Sequence, residues 1–557
     1  MAAKILVTAA LPYANGPLHL GHLAGAYIPA DVYVRYQRLK GSDILFICGS
    51  DEHGVPITIR ADRENVSPKE IVDRYHDRMK ESFRRIGLAF DNYSRTSLPL
   101  HHKIAQDFFL NLYNKGYIKE QSIQQYYCPT CRRFLPDRYI EGECPHCHRQ
   151  GARGDQCEAC GRWLEPEQLL SPQCKECGST PEMRTTTHWY FRLSEFQQRL
   201  EDWQTSKTDW KSNVREFCSG WFKEGLTDRP ITRDIDWGIP VPLPNADGKV
   251  LYVWFDAPIG YISSSVEWAQ KQGAPDRWRD YWMNPETKLI HFIGKDNIVF
   301  HAIVWPATLM AHGDFILPSQ IPANEFLNIE GDKISTSRNW AVWVDDYLEV
   351  FPPDPLRYWL ESNAPESKDA DFTWKDFQTS NNSELADVLG NLINRSLSFI
   401  EKNFEAKVPP SGTLRDPDRA ILAEIGNATR RIGAAIEDFQ VRAAVGALMD
   451  LARSGNKYFN DEAPWSSFKV DRARCATTLN TTVQLLAALA VLMEPFLPFS
   501  AEKLWRMLNA PGSHHDQRWN DVPELRLPDG HPLGKREILF SKIEDAIIEE
   551  QIAKLKK

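Results

Sequence analysis

What the sequence has little of narrows it first. Its longest uninterrupted apolar stretch, residues 485–493, falls far short of the roughly 18 residues that cross a bilayer, so no membrane span is expected. No internal repeat or low-complexity tract interrupts the 557 residues, which excludes solenoid and fibrous chains. Positive charge is not in excess: 66 Lys and Arg stand against 75 Asp and Glu, a net charge of −9. A polyanion binder coated in cations is excluded by that balance, whereas a local basic groove is not. Cysteine is scarce outside one segment, because only Cys48, Cys218 and Cys475 lie beyond residues 128–177. That is the arithmetic of metal binding rather than of disulfides. No charged leader and apolar core precede the strand-like residues 4–11, so a cytoplasmic protein is expected.

What is present reads as several globular units. Apolar residues make up 42% and charged residues 25%, and at about 150 residues per domain the length predicts three or four domains. Residues 4–11 read as a strand, PYANGP as a turn, residues 21–39 as a helix and DILFICGSDEHG as a second strand. The runs LYVWF (251–255) and LIHFIG (289–294) read as further strands, each followed by a helical stretch. Strands alternating with helices predict an α/β fold of Rossmann type, a parallel sheet with ligands beyond the carboxyl ends of its strands. The cysteine-rich segment splits that sheet as an insertion. After about residue 381 strands give way to a helical stripe of Leu385, Val388, Leu389, Leu392, Ile393, Phe399 and Ile400, which predicts an α-helical bundle. Asn391 and Arg395 lie one turn apart on its opposite face. Ser541-x-x-Glu544 reads as a capping box ahead of a terminal helix packing through Ile543, Ile547, Ile548 and Leu555. The expected divisions are therefore 1–116 and 231–325 for the halves of the sheet domain, 117–230 for the insertion, 326–380 for a linking segment, 381–540 for the bundle and 541–557 for the last helix.

Three strings carry chemistry. His19-Leu20-Gly21-His22 falls between the first strand and its helix, where free N–H groups and the helix dipole favour a phosphate, and Gly21 lets a nucleotide approach the backbone. Histidines spaced i, i+3 can also ligate a metal. Lys333-Ile334-Ser335-Thr336-Ser337 offers one cation and three hydroxyls from a Gly-preceded loop, a set suited to a triphosphate, although solvated Ser/Thr loops are common. The pairs Cys128/Cys131, Cys144/Cys147, Cys157/Cys160 and Cys174/Cys177 have the CxxC spacing of tetrahedral Zn²⁺ knuckles, and four copies exceed the need of a redox site. Spacing leaves their pairing open, and His146 and His148 are competing ligands.

Taken together, PYANGPLHLGH, FICGSDEHG, YVWFDAPIGY, HFIGKDN, KISTS and DEAPW, in that order over nearly the whole chain, resemble the methionine-specific class I aminoacyl-tRNA synthetases. The resemblance implies a two-step reaction: ATP and L-methionine give methionyl-adenylate and pyrophosphate, and methionine then passes to the 3′-terminal adenosine of tRNA(Met). It implies ATP binding at His19, Gly21, His22, Lys333, Ser335, Thr336 and Ser337, accompanied by Mg²⁺. His19, His22, Lys295, Lys333 and Thr336 become the catalytic set, stabilising phosphoryl charge without covalent chemistry. Thr336 departs from the usual second lysine of that loop, so Lys295 and Lys333 are expected to share the cationic load. A methionine pocket is implied at Leu11, Tyr13, Trp254, Ala257, Pro258, Tyr261 and His301, with Asp51 on the amine. Anticodon contacts are implied at Asn391, Arg395 and Trp465 in the helical domain. The family's inner zinc site matches Cys144, Cys147, Cys157 and Cys160, which leaves Cys128, Cys131, Cys174 and Cys177 as a nested outer site.

Other readings differ in what they require. A small-molecule nucleotidyltransferase would share the two phosphate loops but not need the helical domain, and an inactive RNA-binding protein would not need the intact histidines and pocket aromatics. The leucine, isoleucine and valine enzymes carry a large editing insertion, for which the cysteine-rich segment is too short.

Overall fold

The computed structural model describes residues 4–135, 139–154, 157, 159–160, 164, 166–336 and 338–555. Its centre is a five-stranded parallel sheet of β1 (Lys4–Ala9), β2 (Asp43–Ser50), β3 (Asn92–Arg95), β4 (Lys288–Gly294) and β5 (Ala323–Asn324), in the order β5-β4-β1-β2-β3. Continuous apolar runs form β1, β2 and β4 because both faces of the sheet are covered. Ile5, Val7 and Phe46 feed the core on one side, and Leu6, Leu45, Ile47 and Leu289 feed the core on the other. Period-two alternation thus survives within an unbroken hydrophobic string.

Helix α1 (Ile28–Lys40) follows β1 through a short helical turn at Leu20–His22 and a π-turn at Leu23–Tyr27. The expected strand at 251–255 is not there. Val250 and Leu251 pair antiparallel with Thr232 and Arg233 outside the main sheet, and helix α2 (Val253–Lys271) starts immediately afterwards. Tyr252 is the extended N-cap, and its carbonyl already accepts the N–H groups of Phe255 (2.8 Å) and Asp256 (3.2 Å). A short apolar run fits a buried helix as well as a buried strand, and here the downstream APIGYISSS run continues as helix.

Between β3 and α2 the chain leaves the sheet as two long antiparallel strands, Ile118–Cys128 and Glu182–Phe191. The cysteine-rich segment forms the tip beyond them. After β5 comes a three-stranded sheet of Leu327–Ile329, Asp332–Lys333 and Ala370–Phe372, which carries the KISTS loop.

The helical domain contains α3 (Asp416–Glu437), α4 (Val441–Asp461), α5 (Pro464–Val470) and α6 (Arg472–Leu492). Among the described residues, α6 alone is long and apolar enough to cross a membrane, and its apolar window lies wholly inside the protein. Buried charge ties this domain to the sheet domain. Arg35 on α1 bonds Asp31 (2.7 Å) and Glu494 (2.6 Å). Arg357, fully buried, bonds Asp31 (2.8 Å) and donates to the carbonyls of Phe496 (2.8 Å) and Pro495 (3.0 Å). Buried cations persist because each is paired with anions and carbonyls.

The last helix spans Asp545–Leu555 and packs on Trp374–Thr379 through Ile548. The capping box expected at Ser541 and Glu544 does not form, since the helix begins only after both residues. Instead the Ser541 carbonyl accepts from Asn381 (2.9 Å), and the Ile543 carbonyl accepts from Gln378 (2.9 Å) and Asn382 (3.0 Å). Side-chain amides take carbonyls that a helix starting at Ser541 would have used for its first i to i+4 bonds, and Asn382 Oδ1 accepts the Ile543 N–H (2.8 Å).

Gly455 is where α4 crosses its neighbours, and a Cβ there would stand 2.5 Å from Leu485 Cδ2 and 2.8 Å from Leu392 Cδ2. Gly455→Val should lower unfolding stability by about 2–3 kcal/mol through overpacking. Urea denaturation followed by circular dichroism checks this, an unchanged midpoint being the contrary result.

Candidate active site and metal centres

One cavity of about 650 Å³ opens at the carboxyl ends of β1, β2 and β4. It is lined by His19, Gly21 and His22, by Lys333, Ser335 and Thr336, and by Leu11, Tyr13, Asp51, Trp254, Ala257, Pro258, Tyr261 and His301. The two phosphate strings and the amino-acid residues therefore share one space. Ser337 lies outside the described residues.

The strings meet through backbone and through Gly21. Leu20 N–H donates to the Val342 carbonyl (3.1 Å), and Val344 N–H donates to the Leu18 carbonyl (2.9 Å). Ile334 Cδ1 lies 2.8 Å from where a Cβ on Gly21 would be, so the loop lies close over Gly21 and a larger residue there would make the end of the Ile334 side chain turn aside.

The two histidines are neutral. Their rings stack at 3.7 Å, and burial lowers the His22 pKa to about 4; burial together with His22 lowers that of His19. His22 Nδ1 accepts the His19 backbone N–H (3.1 Å), so its proton sits on Nε2. His19 Nδ1 is buried without a partner. The pair offers a phosphate hydrogen bonds rather than fixed positive charge.

Lysine supplies the charge, unequally. Lys333 is exposed on the cavity lining. Lys295 is absent from that lining. Its ammonium bonds Glu325 (2.8 Å) and Asp369 (2.7 Å) and lies 4.3 Å from the Phe326 ring centroid. The cationic load expected to be shared is, in this geometry, already neutralised at Lys295.

The amino-acid end is built by β-strand ends and α2. Trp254, Ala257, Pro258 and Tyr261 are spaced i, i+3, i+4, i+7, one face of α2. Tyr261 Oη and His301 Nε2 are 2.8 Å apart, and His301 Nδ1 donates to the Asn297 carbonyl (3.1 Å). Burial lowers the His301 pKa to about 4, so this imidazole is uncharged. Asp51, just beyond β2, is 3% exposed, and its nearest donor is the His53 N–H at 3.5 Å. Burial, with Asp256 nearby, raises its pKa well above the usual range. Such a carboxylate lacks a cation.

Two features of the site escaped the sequence reading. Phe300 stacks on the lining residue Trp254 at 3.6 Å and 3°, and the FH pair that opens the π-turn at Phe300–Val304 was its only signal. Glu325 lines the cavity, and nothing in its local sequence marks it.

The eight thiols form two sets, Cys128/Cys131/Cys174/Cys177 and Cys144/Cys147/Cys157/Cys160, with the four sulfurs of each within 4.8 Å of one another. The crossing distances are 3.5 and 3.8 Å in the first set and 3.9 and 3.7 Å in the second. A tetrahedron with Zn–S near 2.3 Å has sulfur–sulfur edges of about 3.8 Å, so both sets fit that ion. Among the described residues no histidine joins either set, and His148 turns instead to Glu143 (2.8 Å).

In the helical domain Arg395 lies 4.8 Å from the Phe459 ring and 5.7 Å from the Trp465 ring, and bonds Asn460 (2.7 Å). Trp465 is 43% exposed. Asn391 is half-buried one turn before Arg395.

A parallel sheet with the HLGH and KISTS strings at its carboxyl edge, joined to a helical domain, is the arrangement of a class I aminoacyl-tRNA synthetase, and residues 5–397 match the family described as tRNA synthetases class I (M). Residues 408–556 match the anticodon binding domain of methionyl tRNA ligase. The chain is 54% identical to the methionine–tRNA ligase of Bacteroides fragilis, with 99% of this chain and 81% of that one covered. It is 49% identical to that of Pyrococcus furiosus, with 97% and 76% covered. Among solved structures, Mycobacterium tuberculosis methionyl-tRNA synthetase bound by methionyl-adenylate matches with a TM-score of 0.80 at 28% identity, covering 97% of this chain and 100% of that one. The apo form of that protein matches with a TM-score of 0.73 at 27% identity, covering 98% and 99%. The chain belongs to the methionine–tRNA ligase family.

Purified protein should carry two Zn²⁺ per chain, one for each thiolate set, as measured by plasma emission spectroscopy. Cys144→Ser should reduce the content to one and destabilise the insertion more than it slows adenylation. A wild-type content of one would show that one set does not hold metal.

Proposed function

We propose that this chain activates L-methionine with ATP and then charges tRNA(Met), acting in the cytoplasm. The observation that carries this reading is Asp51, a buried carboxyl with no cation, beside a cavity wall that is neutral and partly aromatic. The α-ammonium of the amino acid supplies the missing charge. The side chain enters between Trp254, Ala257, Pro258 and Tyr261, where the polar atoms of Tyr261 and His301 are occupied with each other. A thioether asks for no strong hydrogen bond and contacts aromatic edges well, so it suits such a wall.

The methionine carboxylate, held beside Gly21, attacks the α-phosphorus of ATP in line. An O–P bond forms, the α–β bridge breaks, and pyrophosphate leaves. His22 donates Nε2–H to a phosphate oxygen, while Lys333 and the hydroxyls of the KISTS loop receive the growing charge on the leaving group. Mg²⁺ accompanies the triphosphate and supplies further charge neutralisation. A ribose hydroxyl of the terminal adenosine then attacks the adenylate carbonyl, and AMP departs. The chain's task is positioning and electrostatics throughout, and the zinc sites, closed by four thiolates each, are structural.

Anticodon reading falls to Asn391, Arg395 and Trp465. A half-exposed indole backed by a guanidinium is a stacking platform for an unpaired base, and the amide reads a base edge. ATP–pyrophosphate exchange run against each standard amino acid tests the reading directly: methionine alone should support it, and exchange with another amino acid would overturn it.

Lys333→Ala should slow adenylate formation by about two to three powers of ten, the scale of one preorganised electrostatic contact. Lys295→Ala should cost much less, because its charge is already paired, and Thr336→Lys should change the rate little. Single-turnover adenylation ranks the three, and a larger loss for Lys295→Ala would reverse the assignment. Trp465→Ala should raise the KM for tRNA at least tenfold while pyrophosphate exchange stays near normal. Equal loss of both activities would place the indole in the structural core.

A further inference from the structure

We propose that Arg474 is a positioning residue for anticodon reading, a clamp that sets the angle at which Trp465 is presented. The proposal rests on the assignment of Trp465 as a base-stacking residue.

The segment carrying Trp465 is held under constraint. Ala463, the residue that turns the chain from α4 into α5, sits at φ +38° and ψ 65°. That left-handed conformation is sparsely populated for a residue with a β-carbon, and it persists only where the surroundings over-determine it. Pro464 is buried, and its carbonyl accepts a contact from the Cys475 thiol (3.3 Å). Trp465 then emerges into solvent.

Arg474 supplies the over-determination. It is 7% exposed, near the N-terminus of α6, and its guanidinium grips both oxygens of Asp418, which is fully buried in the first turn of α3. The same guanidinium donates from Nε to Glu462 (3.0 Å), the residue that ends α4 immediately before Ala463. Asp418 also accepts the Arg415 backbone N–H (2.7 Å) and the Tyr458 hydroxyl from α4. One planar fork therefore fixes the start of α3, the end of α4 and the start of α6 around the turn at Ala463. A lysine could satisfy one carboxylate as a point charge but could not hold both in a fixed plane. Burying three charged side chains is a costly way to stabilise a bundle and is better suited to specifying one geometry.

Nothing in this cluster approaches the cavity at the sheet, so its loss should separate the two half-reactions. Arg474→Lys should raise the KM for tRNA about tenfold with kcat within twofold of wild type and pyrophosphate exchange unchanged. Glu462→Ala leaves the Asp418 pair intact and should act in the same direction, which keeps the test open if Arg474→Lys folds poorly; Glu462→Gln, still able to accept from Nε, should recover most of the loss. In a Trp465→Ala background, Arg474→Lys should add less than about a twofold further change, because its effect passes through the indole. Additive losses, or a KM change that appears only with a matching fall in melting temperature and in pyrophosphate exchange, would overturn the clamp and make Arg474 merely structural. A normal KM for Arg474→Lys beside a raised one for Trp465→Ala would defeat the clamp alone. A normal KM for Trp465→Ala itself would defeat the assignment of Trp465, and the clamp with it.

Discussion

Ile334 crosses directly over Gly21, its Cδ1 only 2.8 Å from the place a β-carbon would occupy. Two segments more than three hundred residues apart in sequence meet there, and the cavity depends on their approach, since one segment brings the histidines and the other the lysine. The backbone bonds from Leu20 to Val342 and from Val344 to Leu18 fix the register of the approach. The parallel sheet supplies the rigid platform beneath, with its strand ends converging on the crevice where ligands of such sheets bind. Displacing Ile334 would leave both motifs intact and separate them.

Charge is distributed within the cavity with some economy. The histidines are kept neutral by burial, so their contribution is directional, whereas Lys333 stands exposed with its charge available. At the opposite end burial holds the Asp51 carboxyl well above the usual carboxylate range with no cation beside it, and the Tyr261–His301 pair is neutral. The cavity thus sets an exposed cation at one end against a buried carboxyl at the other that ionises only when a cation joins it.

The sequence carried much of this and withheld particular parts. The unbroken apolar runs of β1, β2 and β4, the two phosphate strings and the cysteine knuckles were legible because each is a local pattern with a local physical cause. The run at 251–255 was not, because five apolar residues fit a buried strand and a buried helix equally; the spacing of Trp254, Ala257, Pro258 and Tyr261 carried the helical signal in plain view. The pairing of the cysteines could not follow from CxxC spacing, since four knuckles can be joined in more than one way; the family resemblance implied it, and the sulfurs in space form the same two sets. Lys295 shows the limit most clearly. Its neutralisation by Glu325 and Asp369, 30 and 74 residues away, is a tertiary fact with no trace in the GKD string. Ser541 and Glu544 fail as a capping box for the same kind of reason, because amides from residues 378–382 claim the backbone first.

Helix α6 is buried around its whole circumference, and helices on either side of it in sequence complete its burial. As the chain leaves the ribosome, α3 and α4 are already available to cover one side, but the helix at Pro498–Met507 and the segment near Trp519 are not yet made. During that interval a stretch long and greasy enough for a lipid bilayer faces water. The helical domain therefore has a narrow period in its synthesis when chaperones, membranes and other nascent chains compete with the residues after 497 for the same surface.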